Sequence, residues 1–198
     1  FVLPHGRKQI LAFHIAGANI YQDAIAQGQA ASYTPYRAKR DEIAVLQYTG
    51  GTTGVAKGAA LSHDNLIANT LQAEAWNIPV LQTKNGRTEF VNVAALPLYH
   101  IFAFTVSMML TMRLGGSVVL IPNPRDIPAM LKELRRYRVT ALPAVNTLFN
   151  GLVNHPDFKT VDWSGLKVSL GGGMAVQSAV AEQWLAATGC PICEGYGL

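Results

Sequence analysis

The sequence is poor in charged residues and contains no long hydrophobic run. Charged residues make up 14% of the 198 residues, while 49% are hydrophobic and 18 are glycine. This composition favours a loop-rich α/β enzyme over a coiled coil or a disordered chain. The longest apolar run, residues 98–112, contains Tyr99 and His100 and is shorter than the roughly 20 residues that span a bilayer. We therefore expect a cytoplasmic protein, with at most peripheral contact with the inner face of the cell membrane.

Cysteine is also scarce, since Cys190 and Cys193 are the only two in the sequence. Their spacing occurs in redox pairs, where a helix start lowers the pKa of one thiol. The residues that follow them do not resemble a helix start, which favours the other interpretation, two buried cysteines on a strand. One pair supplies neither four zinc ligands nor a disulfide framework, so a reducing compartment is expected.

The positive charge is not arranged as in nucleic-acid-binding proteins. The formal net charge is +4, and no stretch interleaves basic with aromatic residues, so we expect no nucleic-acid partner. Four basic residues share a predicted helix that starts near Ile127, and they are Lys132, Arg135, Arg136 and Arg138. A solvated face and a contact with anionic membrane headgroups both account for them.

From residue 41 onward, strand patterns alternate with helical patterns. Strands are predicted at residues 43–48, 89–96, 117–121, 139–142, 166–170 and 191–194, with a short extended piece at 59–61. Helices are predicted from an N-cap at Ser62 to Trp76 and at 101–114, 127–137, 146–153 and 176–187. Residues 77–87, with Pro79, read as a loop, and residues 1–40 as a connecting segment with a helix near 19–27. Strands joined by helices pair in parallel, which predicts a layered α/β fold with a mostly parallel sheet.

The glycine- and threonine-rich stretch between residues 48 and 58 is the most informative part of the sequence. Glycines let backbone amides turn toward an anion, hydroxyl groups add donors, and a lysine meets a phosphate as a point charge. Together these groups suit the β- and γ-phosphates of a nucleoside triphosphate. The candidate phosphate-binding residues are Thr49, Gly50, Gly51, Thr52, Thr53, Gly54 and Lys57.

Two common nucleotide-binding loops do not match this stretch. The pattern G-x-x-x-x-G-K-[ST] needs glycine before the lysine and serine or threonine after it, but Ala56 precedes Lys57 and Gly58 follows. The pattern G-x-G-x-x-G fails because Gly50 and Gly51 are adjacent. A flexible solvent loop would explain the glycines, but not the threonines and the lysine.

The stretch resembles the phosphate-binding loop of the adenylate-forming enzymes, usually written Y-T-S-G-T-T-G-x-P-K-G. Gly50 stands where serine is usual and Ala56 where proline is usual. With both changes, the stretch is similar to the corresponding loop of the bacterial long-chain fatty-acid–CoA ligases. Further segments match the family in order. The run 96–102 resembles the segment that shapes the acyl pocket, which implies that His100 lies near the substrate carboxylate. Without the resemblance, a histidine in an apolar stretch is more often a core residue.

Two glycine-rich segments near the end of the chain resemble the family's adenine site. Residues 171–175 resemble a shelf that lies against the base, with Ala175 where proline is usual, and residues 194–198 resemble the start of the motif whose tyrosine stacks on adenine. The resemblance implies adenine-binding roles for Gly173, Met174, Ala175, Glu194, Gly195 and Tyr196. Residues 145–150 are similar to a wall of the acyl pocket, although a plain core helix accounts for them equally well.

The resemblance implies an enzyme that activates a long-chain fatty acid with ATP and Mg²⁺ to acyl-AMP, and then transfers the acyl group to coenzyme A. Residues 41–198 would be part of its adenylation domain. In the family, the next two residues after Leu198 would be threonine and a Mg²⁺-binding glutamate, and a C-terminal lid would follow. We therefore expect no metal ligand within residues 1–198 and no activity from the 198-residue chain alone.

Two other functions remain open from the sequence. One is an adenylating enzyme that uses another carboxylate substrate or another acceptor. The second is a non-catalytic module that binds a nucleotide or a lipid.

Overall fold

The structure, a computed structural model, describes residues 16–48, 57–83, 86–87 and 89–197. The chain divides into two units, Phe1–Ala38 and Lys39–Leu198. In the described part of the first unit, helix α1 (Tyr21–Ala30) matches the helix predicted near residues 19–27. None of its residues is buried.

The second unit begins with an antiparallel hairpin of β1 (Ile43–Tyr48) and β2 (Gly58–Ser62). Tyr48 pairs with Gly58, so the predicted phosphate-binding loop is the connection between these two strands. Residues 49–56 of that loop lie outside the described residues. A Cβ atom on Gly58 would lie 3.1 Å from ring atoms of Tyr48, so a side chain at the first position of β2 would require that ring to shift.

Helix α2 (His63–Leu81) starts at the predicted N-cap, Ser62. The Ser62 hydroxyl accepts from the Asn65 amide at 3.3 Å, and the Ser62 amide donates to Asn65 Oδ1 at 3.0 Å. The predicted end at Trp76 is wrong, because the helix continues through Pro79 to Leu81. Pro79 cannot donate a helical hydrogen bond, but Leu81 is fully buried, and its packing holds the last turn. The predicted loop at 77–87 is instead this last turn followed by two short paired strands, β3 (Gln82–Thr83) and β4 (Gly86–Arg87).

Among the described residues, the main sheet has five strands in the order β6-β5-β7-β8-β9, and all of their pairings are parallel. The strands are β5 (Val91–Ala94), β6 (Ser117–Leu120), β7 (Ala141–Ala144), β8 (Val168–Gly171) and β9 (Ile192–Glu194). The predicted layered α/β fold is thereby confirmed. The predicted strand 139–142 is shifted, because the buried Thr140 hydroxyl accepts from the Val91 amide and shares its one proton between the Glu89 and Val91 carbonyls, each 3.1 Å away. Ladder pairing between β5 and β7 therefore begins at Ala141.

Helical segments connect successive strands of this sheet. They are α3 (Ile101–Ala103), a π-helical segment (Phe104–Met109), α4 (Leu110–Leu114), α5 (Ile127–Leu134), α6 (Asn146–Val153), a 3₁₀ turn (Pro156–Thr160) and α7 (Ser178–Thr188). The single helix predicted for 101–114 is wrong in its middle, where the Leu110 amide donates to the carbonyl of Thr105, five residues back. The helix predicted for 127–137 ends earlier, so Arg135, Arg136 and Arg138 follow α5.

The π-helical segment is held by a polar residue of the sheet. The Asn92 side chain on β5 is 1% exposed, and its Nδ2 donates to the Val106 carbonyl at 2.7 Å and to the Thr111 hydroxyl at 3.0 Å. The altered register of the helix changes the hydrogen bonding of its backbone carbonyls. The buried Asn92 side-chain amide supplies a donor to one of these carbonyls.

The main sheet is covered on both faces. On one face, α5, α6 and α7 bury a large cluster around Phe149, Phe158, Trp163 and Trp184, whose rings lie 4.8–5.5 Å apart. On the opposite face, a smaller cluster joins the sheet to α2 and α4, and it contains Leu81, Phe90, Leu110, Leu114 and Ala141. Successive side chains of a strand point to opposite faces of the sheet, which explains why there are two clusters. Ala141 packs in the smaller cluster on one face, and Leu142 packs in the larger cluster on the other.

The cysteine prediction is half right. Both thiols are free, and Cys190 is buried, whereas Cys193 on β9 is exposed, because β9 lies at the edge of the sheet. Among the residues that the structure describes, no helix is long and apolar enough to cross a membrane.

Candidate functional site

The predicted site residues that the structure describes lie largely at one edge of the main sheet, where its parallel strands end. Tyr99 and His100 follow β5, Asn146 follows β7, the glycine-rich run 172–175 follows β8, and Tyr196 follows β9. Because all five strands are parallel, these segments share the carboxyl edge of the sheet. Open α/β sheets bind ligands at this edge.

His100 is exposed and begins the helical connection between β5 and β6. Its Nδ1 accepts from the Phe102 amide at 3.3 Å, which caps the first turn of α3. In the neutral imidazole the proton then lies on Nε2, which can donate to an oxygen of a ligand. His100 is therefore not a core histidine, and its ring has one N–H group for an acceptor at the carboxyl edge.

A side chain of the hairpin contacts the segment that precedes His100. Gln47 on β1 donates from Nε2 to the Tyr99 carbonyl at 3.2 Å and to the Tyr48 carbonyl at 3.3 Å. This contact ties the strand that leads into the predicted phosphate-binding loop to the turn that carries His100. Sequence reasoning did not single out Gln47, since a glutamine in an alternating strand carries no distinctive signal.

Gly172 brings the His100 segment and the last strand together. A Cβ atom on Gly172 would lie 2.9 Å from ring atoms of Phe102 and 3.4 Å from the Gly195 carbonyl oxygen. The Gly195 amide donates to the Gly171 carbonyl at 2.8 Å. Three of the predicted segments thus converge at a position where a side chain would collide with an aromatic ring.

The residues predicted to contact adenine form an exposed surface beside this point. Gly173, Met174 and Ala175 are all exposed, and Gly173 has a left-handed backbone with φ of 77°. Tyr196 is 92% exposed, so its ring is free to stack on a flat ligand. A short exposed backbone run next to an exposed tyrosine can bind one planar aromatic group.

Two polar side chains fix the end of this run, and sequence reasoning assigned neither of them this task. The Val176 amide donates to Glu194 Oε2 at 3.0 Å, and the Gln177 amide donates to Asn146 Oδ1 at 3.0 Å. Asn146 is 8% exposed. The acceptors come from β9 and α6, which lie far apart in sequence, so only the fold reveals the arrangement.

The predicted phosphate-binding residues are described only in part. Lys57 is exposed and directly precedes β2. Thr49, Gly50, Gly51, Thr52, Thr53 and Gly54 lie outside the described residues.

Other parts of the structure offer weaker candidates. A depression of about 520 Å³ lies at the opposite, amino edge of the sheet, between the residues before β8 and the end of α7, and contains none of the predicted site residues. Its rim carries Lys159, Asp162 and Ser164. Hydrogen bonds from Ser164 lower the pKa of Asp162, so this carboxylate is engaged locally. Within the described ranges, no group of three or more His, Cys, Asp or Glu side chains is placed to hold a metal ion.

Comparison with known proteins gives a consistent result. A family model described as "AMP-binding enzyme" matches residues 6–198. Long-chain-fatty-acid–CoA ligases of Haemophilus influenzae and Yersinia pestis are 46% and 48% identical over the whole chain, which covers 35% and 34% of their lengths. The chain thus spans about a third of the length of these curated relatives.

Solved structures show the same architecture. ATP-bound MatB from Rhodopseudomonas palustris is similar with a TM-score of 0.69 and 28% identity, covering 84% of this chain and 31% of that one. The anthranilate CoA ligase AuaEII in complex with anthranoyl-AMP has a TM-score of 0.75 at 24% identity, covering 94% of this chain and 35% of that one. At that identity the second likeness shows the fold alone.

Proposed function

Because the chain belongs to the AMP-binding enzyme family, we propose that it is part of an enzyme that activates a long-chain fatty acid with ATP and coenzyme A. The observation that supports this proposal most strongly is the 46–48% identity to long-chain-fatty-acid–CoA ligases along all 198 residues. The convergence of the predicted substrate segments at the carboxyl edge of the sheet agrees with it.

The proposed reaction has two steps. A carboxylate oxygen of the fatty acid attacks the α-phosphorus of ATP, and pyrophosphate leaves, which gives the acyl-adenylate. The thiol of coenzyme A, having lost its proton, then attacks the acyl carbon, and AMP leaves as the thioester forms. The resemblance also implies Mg²⁺. The described residues offer no carboxylate cluster for the ion.

We propose that the loop from Thr49 to Lys57 holds the β- and γ-phosphates of ATP. The hairpin supports this assignment, because paired strands on both sides fix the two ends of the loop. Lys57 stands at one end and is exposed, so its ammonium group can reach an anion. The threonine hydroxyls and glycine amides would supply further donors as the charge on pyrophosphate develops.

We propose that adenine lies on the run Gly173–Ala175 and stacks on Tyr196. The exposure of both surfaces and the absence of side chains on Gly172 and Gly173 support this placement. Gly195 belongs to the same region through its hydrogen bond to Gly171. Base stacking on an aromatic side chain contributes about 1–3 kcal/mol.

We propose that the His100 side chain lies next to the carboxylate of the bound fatty acid. Its Nδ1 already accepts from the Phe102 amide, so Nε2–H is the group left to donate to a carboxylate oxygen. Donation from a fixed ring would orient the attacking oxygen toward the α-phosphorus, which is a positioning effect.

For the organisation of the chain, we propose that residues 41–198 belong to the adenylation domain and that residues 1–40 are a connecting segment. Peripheral contact with an anionic membrane is a further proposal, and it rests on the basic group formed by Lys132 in α5 and by Arg135, Arg136 and Arg138 after it. That group is partly neutralised, because Arg136 pairs with Glu133 at 3.0 Å and Arg135 with Asp157 at 3.6 Å.

Isotope exchange between ATP and pyrophosphate in the whole protein tests the proposal. We expect exchange that depends on long-chain fatty acids in a panel of carboxylic acids, followed by thioester formation when coenzyme A is added. Exchange with an aryl or dicarboxylic acid instead would indicate another substrate, and exchange without thioester formation another acceptor. ATP binding without any exchange would favour a non-catalytic nucleotide-binding module and would contradict the proposed reaction.

A further inference from the structure

The shelf loop, residues 172–177 between β8 and α7, is anchored at several points. At its start, the Gly172 amide donates to the Ala144 carbonyl at 3.3 Å. Gly173 then turns the chain with φ of 77°, a left-handed conformation that side chains disfavour. The exposed residues Met174 and Ala175 follow. The loop is therefore a defined turn that presents a short stretch of backbone to solvent.

The two amides at the end of the shelf loop receive side-chain acceptors from elsewhere in the fold. Val176 donates to Glu194 Oε2, and Gln177 donates to Asn146 Oδ1, each at 3.0 Å. Gln177 is the N-cap of α7, and its own side chain makes no capping bond. Amides just before a helix lack helical partners, so without these two acceptors they would depend on water.

The contacts around Val176 show that the loop is packed as well as hydrogen-bonded. A Cβ atom on Gly171 would lie 2.6 Å from Val176 Cγ2 and 3.1 Å from the Ile192 side chain. Val176 therefore lies over the end of β8. Its position is fixed by the packing of its side chain and by the hydrogen bond of its backbone amide. Asn146 is the first residue of α6 and is 8% exposed, so its carboxamide has little freedom to leave Gln177.

We propose that Asn146 and Glu194 are positioning residues for the nucleotide base, and that they act through the Val176 and Gln177 amides rather than by touching the base. This inference rests on the proposed function, since it takes the shelf loop as the surface beneath adenine. The side chains of Asn146 and Glu194 hold the shelf loop in a conformation that keeps residues 173–175 exposed to solvent beside Tyr196. Nucleotide then binds to a surface that is ordered in advance, which lowers the entropic cost of binding.

Removal of one acceptor should weaken base recognition while leaving the phosphate contacts unchanged. One hydrogen bond to a backbone amide corresponds to about a 3- to 10-fold change in affinity, and to more when the acceptor is charged. We expect Asn146→Leu and Glu194→Leu each to raise the KM for ATP by about that factor. Neither should change kcat at saturating ATP by more than about twofold, and Glu194→Leu should leave the KM for the fatty acid within the same range.

Conservative variants distinguish the acceptor from the bulk of the side chain. Asn146→Asp and Glu194→Gln keep an oxygen at the accepting position, so both should restore most of the ATP affinity. Asn154→Leu is the control, because Asn154 is the C-cap at the other end of α6 and its side chain donates to Asn150 of that helix and not to the shelf loop. We expect this control to leave the KM for ATP unchanged.

Two measurements on the whole protein without turnover complete the test. Inorganic tripolyphosphate has no base, so the leucine variants should bind it as wild type does while they bind ATP more weakly. In protein without nucleotide, hydrogen exchange at the amides of residues 176 and 177 should become about 3- to 10-fold faster in the leucine variants.

The possible outcomes separate the inference from the proposed function. If wild-type protein binds no ATP, the proposed function fails and the inference fails with it. If wild type binds ATP and the leucine variants do so equally well, the positioning role alone is wrong. Equal weakening of ATP and tripolyphosphate, or no recovery in the acceptor-keeping variants, would likewise overturn it, because either result indicates general damage to the fold.

Discussion

The two edges of the main sheet differ in what they bury. At the amino edge, Phe158 and Trp163 stack at 4.8 Å between ring centroids, and the Trp163 indole donates to the Phe158 carbonyl at 3.1 Å. At the carboxyl edge, the chain presents exposed glycines and Tyr196, held by backbone amides and their acceptors. From this contrast we expect stability to depend more on the buried aromatic residues of the amino edge than on the exposed residues of the carboxyl edge.

The largest expected effect is on stability at the amino edge. Trp163 is 7% exposed and packs against Phe158 and Trp184. Trp163→Ala should therefore lower the free energy of unfolding by about 3–5 kcal/mol, measured by urea denaturation of the whole protein. The KM values for ATP and fatty acid should stay unchanged at a temperature where the variant is folded. A folded variant with a much higher KM for ATP would show that the edges are not separate.

The second effect is on catalysis at the carboxyl edge. Lys57→Ala removes the one ammonium group of the predicted phosphate-binding loop, so we expect ATP–pyrophosphate exchange to slow by about 100-fold or more, which corresponds to ~2.7 kcal/mol. Fatty-acid binding should weaken far less, and the midpoint of urea denaturation should not move, since Lys57 is exposed.

Lys159→Ala is the matched control, because Lys159 is an exposed lysine at the amino edge. It should leave the exchange rate as in wild type. Equal losses of exchange and of fatty-acid binding in Lys57→Ala would count against the phosphate-binding role.

The smallest expected effect concerns membrane contact at the amino edge. Glu133 holds the pKa of Arg136 above its usual value through a hydrogen bond, and Arg135 pairs with Asp157. Lys132 and Arg138 make neither of these ion pairs, although Arg138 helps to lower the pKa of Asp162, so these two are the residues to test against lipid headgroups. Lys132→Glu and Arg138→Glu should each weaken binding to phosphatidylserine vesicles by at least about 5-fold at low salt, since the lost basic residue contributes about 1 kcal/mol and the new carboxylate is repelled by the anionic headgroups.

Arg125→Glu provides the control for this charge reversal. Arg125 is exposed and follows β6, so it lies toward the carboxyl edge. It should not alter vesicle binding. If all three variants bind as wild type does, the basic group is only a solvated surface.

The fold was predictable where a local pattern had no competing long-range contact. The strand Ile43–Tyr48 and the helix Asn146–Val153 have the predicted bounds, and Ser62 caps α2 as expected. The errors have tertiary causes. Burial of Leu81 extends α2 past Pro79, and the Asn92 carboxamide bonds the π-helical segment. Neither contact can be predicted from the residues that neighbour Leu81 or Asn92 in the sequence.

The candidate site divides in the same way. The glycine-rich segments and His100 could be selected from the sequence, because their residue types and spacing carry the chemistry. Gln47, Asn146 and Glu194 contribute through contacts with distant backbone groups, and an ordinary polar residue gives no sign of such a contact. These contacts can be recognised only in the folded structure, where the order of the strands brings the residues together.

The sequence by itself determined the family, the parallel α/β class and the residue types available for chemistry, because these depend on local periodicity and on short motifs. The tertiary structure decided which segments meet. Parallel pairing places the ends of β5, β7, β8 and β9 side by side, and Gly172, with no side chain, lets Phe102 and Gly195 approach the same point. Contacts between residues far apart in sequence depend on the packing of the whole sheet, and no local pattern encodes them.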